Sequence, residues 1–510
     1  MPDNAPILNL LAPFLAAFAV CAFGTWKRAL ALPIAILGLS ISFVSSLVSL
    51  WVVATGGPIT YTMGGWSAPI GIVFSIDALN ALVVVLIHLV ALMALFHSAR
   101  LIEQEIDEKR HFYYTLYLLF VTGITGITQT ADAFNLYVLI EVASLTSYAL
   151  IAMGERRSLH AGLNYLLMGS IGATLYLLGV GFLYLKTGTL NMHDLHAMLT
   201  ENRLFQSPTV QVATILIIVG LWLKMAMFPF HGWLPNAYTW SPVSSAALMA
   251  PLMTKVMIYV MIRMMLVVFG LDQMLEIVWA KTVPYLAVMT ILFGSFMALS
   301  QRNLRRIFTY IIVAEVGYMV GAAWLGNTRG LTGSFYHILS DSLMTLCLFL
   351  GAGSLVFKHK IRSIDDLEGI FSKMPLTMTA FTVGAISMIG IPPTCGFFSK
   401  WYLIGGGIEA GNWIYVGALI LSSFINAVIF FRMFEIACFG KNPVEEASHD
   451  HEDTHEADHH PETSVVEAPP VMVVPVIVIS LCIILLGVFN QPVIEMIQHA
   501  ITSIHQGGIL

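Results

Sequence analysis

The sequence predicts an all-α membrane protein with about fourteen transmembrane helices. Of its 510 residues, 57% are hydrophobic and only 11% are charged, whereas soluble domains carry about 25% charged residues. The mean hydropathy is +0.82, and the apolar residues come in runs of about 20, long enough to cross a bilayer. No β-barrel alternation is visible, which leaves helices as the spanning elements.

The apolar runs define the predicted spans 7–24, 30–55, 74–97, 112–130, 133–153, 162–186, 209–231, 243–269, 283–301, 306–325, 332–357, 376–403, 411–438 and 471–490. The first run precedes Lys27 and Arg28 and lacks a basic segment before it, so we expect a retained helix rather than a cleaved signal. The predicted regions are an N-terminal group of three helices (1–111), two helical repeats (112–270 and 271–440), an acidic His-rich cytoplasmic loop (441–470) and a C-terminal helix with its tail (471–510).

The distribution of basic residues predicts the orientation. With the N-terminus outside, the predicted inside loops hold most of the 24 Lys and Arg. The predicted outside loops hold only Lys186, Arg203, Arg263, Lys281 and Arg329. This positive-inside bias predicts a multi-pass protein of the cytoplasmic (inner) membrane with both termini on the periplasmic or extracellular side.

Several functions have no support in the sequence. A net charge of −6 does not indicate nucleic-acid binding, which usually requires a basic surface. The five cysteines show neither disulfide nor zinc spacing. There is no dinucleotide fingerprint, so we expect no redox catalysis in this chain, no cofactor and no metal. The His-rich loop is interpreted as a solvated linker, with weak metal binding or pH sensing as the alternative.

Charged residues inside apolar spans are the candidate functional residues, because burying a charge in a membrane is costly. They are Glu141, Lys224, Lys255, Glu315, Asp341 and Lys400. Glu141 lies in LYVLIEVASLTSYAL, where Ser144 and Tyr148 follow on the same helical face. It is either half of a structural ion pair or a carboxylate that tunes a nearby lysine.

Two of these lysines lie beside predicted helix breaks. Lys224 precedes Pro229, His231 and Pro235 in KMAMFPFHGWLPNAY, and Lys400 follows Pro392 and Pro393 in GIPPTCGFFSK. Broken helices at membrane depth usually line a polar cavity. The breaks fall five spans apart, which indicates two five-helix repeats, spans 4–8 and 9–13, in inverted orientation.

Lys255 lies in the middle of a span, with Tyr259 one turn further on. Burial lowers the pKa of a lysine and a nearby carboxylate raises it, so such a residue can be switched between charged and neutral. Snorkelling to the interface is the alternative, and it suits Lys400 better than Lys255. In the second repeat, one helical face carries Ser334, His337, Asp341 and Thr345. His337 is either a satisfied core histidine or a relay group beside an intramembrane acid.

Several segments resemble the antiporter-like subunits of respiratory complex I and of Mrp-type multisubunit cation/proton antiporters. The segments are DAFNLYVLIEVASLTSYAL, KMAMFPFHGWLPNAY, SPVSSAALMAPLMTKVMIYVMIR, QRNLRRIFTYIIVAEVGY and GIPPTCGFFSK. Within that family, the D subunit of the Mrp type fits best. The resemblance implies fourteen core helices with inverted repeats.

The resemblance also implies a role for each residue. Glu141 and Lys224 would form the modulating ion pair of one half-channel, and Lys255 would connect the half-channels. His337 would continue the polar axis, and Lys400 would be the terminal lysine. His231, Tyr259, Glu315 and Asp341 are secondary candidates for the proton path. Asp341 and Thr345 replace the histidine and lysine common in the family, so we hypothesise an acid–histidine cluster of Glu315, His337 and Asp341.

The implied function is proton translocation in a multisubunit monovalent cation (Na+)/H+ antiporter, with the other membrane subunits and the bilayer as partners. The alternative is a proton-pumping subunit of a complex I-like NADH:quinone oxidoreductase or a membrane-bound hydrogenase. A purely structural scaffold is disfavoured by three intramembrane lysines and two broken helices.

Overall fold

The computed structural model describes residues 4–439 and 465–505. Most of the predicted acidic His-rich loop, 441–470, therefore lies outside the described residues. Helices form most of the described chain, and the described part contains one two-stranded sheet.

The first half of the chain contains one β-hairpin and a series of helices. In order, these are α1 (Ala5–Gly24), α2 (Ala31–Gly56), β1 (Ile59–Thr62), β2 (Val73–Ile76), α3 (Ala78–Glu105), α4 (Arg110–Gln129), α5 (Ala133–Ala152), α6 (Arg156–Thr187), α7 (Met192–Glu201), α8 (Pro208–Lys224), α9 (Leu234–Trp240), α10 (Val243–Met249) and α11 (Met253–Arg263). A π-helical segment, Met264–Phe269, continues α11. Short 3₁₀ turns cover Arg28–Leu30, Met63–Gly65, Asp107–Lys109, Leu204–Gln206 and Phe230–Trp233.

Among its described residues, the second half consists of helices joined by loops and turns. Its elements are α12 (Leu271–Glu276), α13 (Val283–Leu299), α14 (Leu304–Ala323), α15 (Thr328–His359), α16 (Ile370–Lys373), α17 (Pro375–Ile389), α18 (Cys395–Glu409), α19 (Trp413–Phe439), α20 (Pro470–Val488) and α21 (Asn490–His505). Two 3₁₀ turns cover Val278–Thr282 and Ile364–Leu367.

Eleven helical segments of the described chain are long and apolar enough to cross a membrane. The predicted spans 112–130, 209–231 and 376–403 have no counterpart among these eleven. The first corresponds to α4, which is rich in threonine and tyrosine, and the other two are interrupted. The structure is thus a helical, multi-pass membrane protein, as the hydropathy predicts.

The two predicted helix breaks lie close to the prolines that mark them in the sequence, but one of those prolines lies inside a helix. α8 ends at Lys224, and Pro229 lies in the irregular stretch before the turn Phe230–Trp233. Pro235 instead lies in the first turn of α9. Proline is tolerated there because the backbone N–H groups of a first turn have no hydrogen-bond acceptor within the helix. Pro392 and Pro393 lie between α17 and α18.

A third interruption lies inside the predicted span 243–269. Residues 250–252, which include Pro251, separate α10 from α11. Proline has no N–H and cannot extend the hydrogen-bond ladder. Because the ladder is interrupted there, carbonyls beside the break, such as that of Ala250, can accept from other donors.

The two ends of the helical bundle are recognisable from their connections. At one end, which we call the hairpin end, β1 pairs antiparallel with β2, and Phe74 bridges to Thr130 between α4 and α5. At the opposite end, Glu105 is the last residue of α3, and its carboxylate accepts hydrogen bonds from the start of α10. Among the candidate spans, α10–α11, α14 and α15 are the most completely buried, so they form the centre of the protein.

Candidate functional site

The break after α8 places Lys224 against α5. The Lys224 side chain is buried, and its Nζ donates to Ser144 Oγ at 2.7 Å and to Tyr148 Oη at 3.4 Å. Glu141 Oε1 lies 3.8 Å from the same nitrogen. The polar face of α5 that the sequence predicts therefore converges on this one ammonium group.

The backbone beside Lys224 is strained. Ala226 has a φ of 62°, in the left-handed region that a residue with a Cβ rarely adopts. Such positions persist where the surrounding structure holds them, and they cluster at functional sites. Trp233 Nε1 donates to the Leu223 carbonyl at 3.1 Å, which satisfies one carbonyl at the end of α8.

Lys255 forms a buried ion pair with Asp341. The Lys255 Nζ and Asp341 Oδ2 atoms lie 2.9 Å apart, and both side chains are inaccessible to solvent. Lys255 also donates to the Ala250 carbonyl at 3.3 Å and to Thr345 Oγ1 at 3.4 Å, and Thr345 donates to Asp341 Oδ1 at 2.8 Å. The Asp341 carboxylate and the Thr345 hydroxyl thus both contact the ammonium group of Lys255.

Glu315 and His337 form a second buried pair, between α14 and α15. His337 Nε2 contacts Glu315 Oε2, and His337 Nδ1 lies 2.8 Å from Ser399 Oγ. The hypothesis of a three-membered cluster needs correction, because the ion pair of Asp341 goes to Lys255 and its hydrogen bond to Thr345. The cause lies in α11, which packs beside α15 and brings a cation to Asp341.

Lys400 lies on α18 and is buried against the end of α17, beside the break. Its Nζ donates to the carbonyls of Met388 and Ile389 at 2.7 and 3.4 Å and to Ser423 Oγ at 3.1 Å, and it lies 5.2 Å from the centre of the Tyr318 ring. Snorkelling is therefore wrong for Lys400. Its ammonium is held by backbone oxygens that α17 leaves free where it ends.

The two remaining candidates have different surroundings. Tyr259 is buried, and its hydroxyl donates to the Thr128 carbonyl at 3.0 Å. His231 stacks on Phe228 with a ring-centre distance of 5.5 Å and lies 4.4 Å from the Phe293 ring. Within the described residues, Nδ1 of His231 has no hydrogen-bond partner.

Sequence reasoning missed two sets of interacting charged residues. Glu105 accepts from Val243 N and Ser244 Oγ, each at 3.1 Å, and Arg305 beside it donates to the Ser241 carbonyl at 2.8 Å. Arg263 was expected in an outside loop, but it is buried at the end of α11 in an ion pair with Asp77. The spacing of Lys255, Tyr259 and Arg263 at every fourth position was the available signal.

The fold and the site define a class: a multi-pass membrane protein with lysines, acids and a histidine buried along its interior. Residues 130–426 match the family described as NADH:quinone oxidoreductase/Mrp antiporter, transmembrane. The chain belongs to this family.

Relatives from both branches of the family are similar over most of their length. The N subunit of the NADH-quinone oxidoreductase of Desulforudis audaxviator is 41% identical over 447 residues, covering 88% of each chain. The D subunit of the Na(+)/H(+) antiporter of Bacillus subtilis is 30% identical over 440 residues, covering 86% of this chain and 88% of the relative.

The fold is also similar to that of a solved structure. A chain of the membrane-bound sulfane sulfur reductase, an archaeal respiratory membrane complex, is 26% identical with a TM-score of 0.88. The match covers 99% of this chain and 100% of that chain. The protein is thus an antiporter-like membrane subunit of the Mrp and complex I type, whose partners are other membrane subunits.

Proposed function

We propose that this chain moves protons within a multisubunit monovalent cation (Na+)/H+ antiporter, by a relay of its buried Glu, Lys and His side chains. The observation that carries the proposal is the Lys255–Asp341 pair, whose atoms lie 2.9 Å apart with no solvent access. In a buried site, a nearby carboxylate favours the charged form of a lysine. Small movements of the pair therefore load or unload a proton.

The roles follow the order of the contacts. Glu141 tunes Lys224 across 3.8 Å, and Lys255 links the two halves. Glu315 holds His337, which reaches Ser399, the residue before Lys400. Lys400 is the terminal lysine, and its Nζ is bound to backbone and hydroxyl oxygens.

The proposal includes a finer architecture. The eleven spanning segments, α4 and the two interrupted helices would make fourteen spans. Spans 4–8 and 9–13 would form inverted repeats, within regions bounded at residues 111, 270, 440 and 470. Lys224 at the end of α8, before one break, and Lys400 on α18, after the other, support this internal symmetry.

Cation-driven proton flux in everted vesicles that contain the whole complex tests the function. We expect flux that needs an added monovalent cation and no electron donor, and we expect Lys224→Ala and Glu141→Ala to abolish it. Lys281→Ala, at an exposed site, is the matched control and should retain wild-type flux. Retention of flux in Lys224→Ala would contradict the relay.

A redox-driven pump module is the second candidate. The N subunit of an NADH-quinone oxidoreductase is a 41% identical relative, which favours this alternative. The local task of the chain would be the same, since the buried residues are the same. Flux that appears only with a reductant would assign the chain to such a complex.

A further inference from the structure

The buried ion pair of Arg263 and Asp77 lies apart from the residues of the proposed relay, at the hairpin end. Arg263 is the last residue of α11, and Asp77 directly precedes α3. Arg263 Nη1 donates to Asp77 Oδ2, and both side chains are almost entirely inaccessible. A buried ion pair is seldom more stable than well-packed apolar side chains, and intramembrane charges are costly. Stability alone therefore does not explain this pair.

α11 aligns this pair with Lys255. Lys255, Tyr259 and Arg263 follow one another at every fourth position, so they share one face of the helix. Each step rises about 6 Å along the axis. Lys255, at the centre of the protein, and Arg263, at the hairpin end, are thus separated by two helical turns with a phenol between them.

Hydrogen bonds connect Tyr259 to Asp77. The Tyr259 hydroxyl donates to the Thr128 carbonyl at 3.0 Å, and Asn80 Nδ2 donates to the same carbonyl at 3.2 Å. Asn80 Oδ1 accepts from the backbone N–H of Asp77 at 2.8 Å. Asp77 Oδ1 in turn caps α3 by accepting from Leu79 N and Asn80 N. Polar groups therefore continue from Tyr259 to the ion pair.

Several residues adjacent in sequence to this connection carry polar atoms that have no hydrogen-bond partner among the described residues. Among the described residues, they include Thr254 Oγ1 beside Lys255, both amide atoms of Gln129 beside Thr128, and Ser75 Oγ near Asp77. All three side chains are buried. Buried polar groups are nearly always hydrogen-bonded, to water where protein offers no partner. Water at these positions would complete a proton-conducting connection.

The ion pair also has a neighbour towards the surface. His193, on α7, is only half-buried, and the charges of Arg263 and Asp77 both act on it. Burial lowers the pKa of His193, and so does the charge of Arg263, whereas Asp77 opposes them. His193 thus lies close enough to the ion pair for both of its charges to act on the imidazole. Its neighbour His196 hydrogen-bonds the Val268 carbonyl in the π-helical segment at 3.2 Å.

We propose that Asp77 is a proton-carrying residue and Arg263 its gate, at the end of a branch from Lys255 through Tyr259 to the hairpin end. The Lys255 ammonium gives a proton along Tyr259 and water to the Asp77 carboxylate, which becomes neutral and releases Arg263. Loss of that proton to His193 or to water restores the ion pair. One proton moves and no other bond changes. This inference rests on the proposed function.

Neutralising the pair without disturbing its packing tests the proposal. Asp77→Asn/Arg263→Gln keeps the α3 cap, because asparagine caps a helix as well as aspartate does. In the assembled complex, reconstituted in proteoliposomes, we expect normal assembly and thermal stability but at least a tenfold loss of proton flux. A pair with only a structural role would leave flux unchanged at normal stability, and that result would overturn the proposal.

Two further variants keep the test decisive. Tyr259→Phe removes a single hydroxyl group that is not part of the ion pair. Assembly should therefore persist while proton flux falls several-fold. Wild-type flux in Tyr259→Phe would overturn the branch even if the double variant failed to assemble. Arg302→Gln/Asp365→Asn neutralises an exposed ion pair with a 3.1 Å separation and should change nothing.

The same assay separates this inference from the proposed function. If Lys224→Ala abolishes flux while Asp77→Asn/Arg263→Gln and Tyr259→Phe retain it, the relay stands and the branch is wrong. If Lys224→Ala itself retains flux, the proposed function has failed.

Discussion

At the scale of the residue, what matters is the partner of each buried charge. Lys255 has a carboxylate, a hydroxyl and a free carbonyl, whereas Lys400 has only neutral oxygens. In a low-dielectric interior a charged partner and a neutral partner act very differently on an ammonium group. The buried lysines Lys224, Lys255 and Lys400 are therefore not equivalent, although they look alike in the sequence.

Two variants of the Lys255–Asp341 pair should separate its effect on stability from its effect on transport. Asp341→Asn leaves Lys255 without its counter-ion, and breaking a buried pair costs about 3–5 kcal/mol unless the lysine becomes neutral. We expect lower thermal stability and loss of flux. Lys255→Met/Asp341→Leu, which replaces both charges by apolar groups, should recover stability but not flux.

Thermal unfolding of the purified complex and proton flux in proteoliposomes measure the two effects. Asp365→Asn, at an exposed site, is the control for the loss of one carboxylate. Normal flux in Lys255→Met/Asp341→Leu would contradict a role for this pair in the relay.

At the scale of the element, the interrupted helices hold the lysines. Lys400 reaches the end of α17 only because α18 begins close beside it. Gly396, one turn before Lys400, is the contact point: a Cβ there would lie 1.9 Å from the Ser387 carbonyl oxygen and 2.8 Å from Met344 Sδ. A backbone oxygen cannot move aside as a flexible side chain can.

Gly396→Ala should therefore push α18 away from α17 and pull Lys400 from the carbonyls of Met388 and Ile389. We expect poorer assembly and a strong loss of flux, measured on membranes with equal amounts of the protein. Gly417→Ala is the matched control, because a Cβ at Gly417 meets nothing within 4 Å. Equal behaviour of the two variants would show that the contact is unimportant.

At the scale of the whole molecule, the bundle has two distinct ends. The hairpin end carries β1, β2 and the Asp77–Arg263 pair, and the other end carries Glu105 and Arg305. The amphipathic helix α21 belongs to the hairpin end, since Met496 packs against the cluster of Val53, Ile59, Ile76 and Ala81. The positive-inside bias predicts that this end faces outward.

Accessibility of single cysteines checks this orientation. In a background without the native cysteines, Lys281→Cys should react with a membrane-impermeant thiol reagent in intact cells. Lys109→Cys, near the opposite end, should react only in everted vesicles. Both positions are exposed, so access from one side alone decides the outcome. The reverse pattern would invert the predicted topology.

Much of this protein follows from the sequence by itself. Long apolar runs determine a helical membrane protein, because a backbone in lipid must satisfy its own hydrogen bonds. Charges placed in those runs identify Glu141, Lys224, Lys255, Glu315, Asp341 and Lys400, since burying each one is costly. Prolines mark two of the helix breaks, because proline cannot continue the ladder.

Only the tertiary structure decided which of these groups meet. Asp341 lies one turn from His337 in sequence, yet it pairs with Lys255 from another helix. Arg263 was placed in a loop by the charge count, yet Asp77, far away in sequence, holds it inside. Sequence periodicity specifies the face of a helix, but the neighbour of that face is set by packing among many helices. The electrostatic partner of a buried charge is therefore a property of the folded molecule.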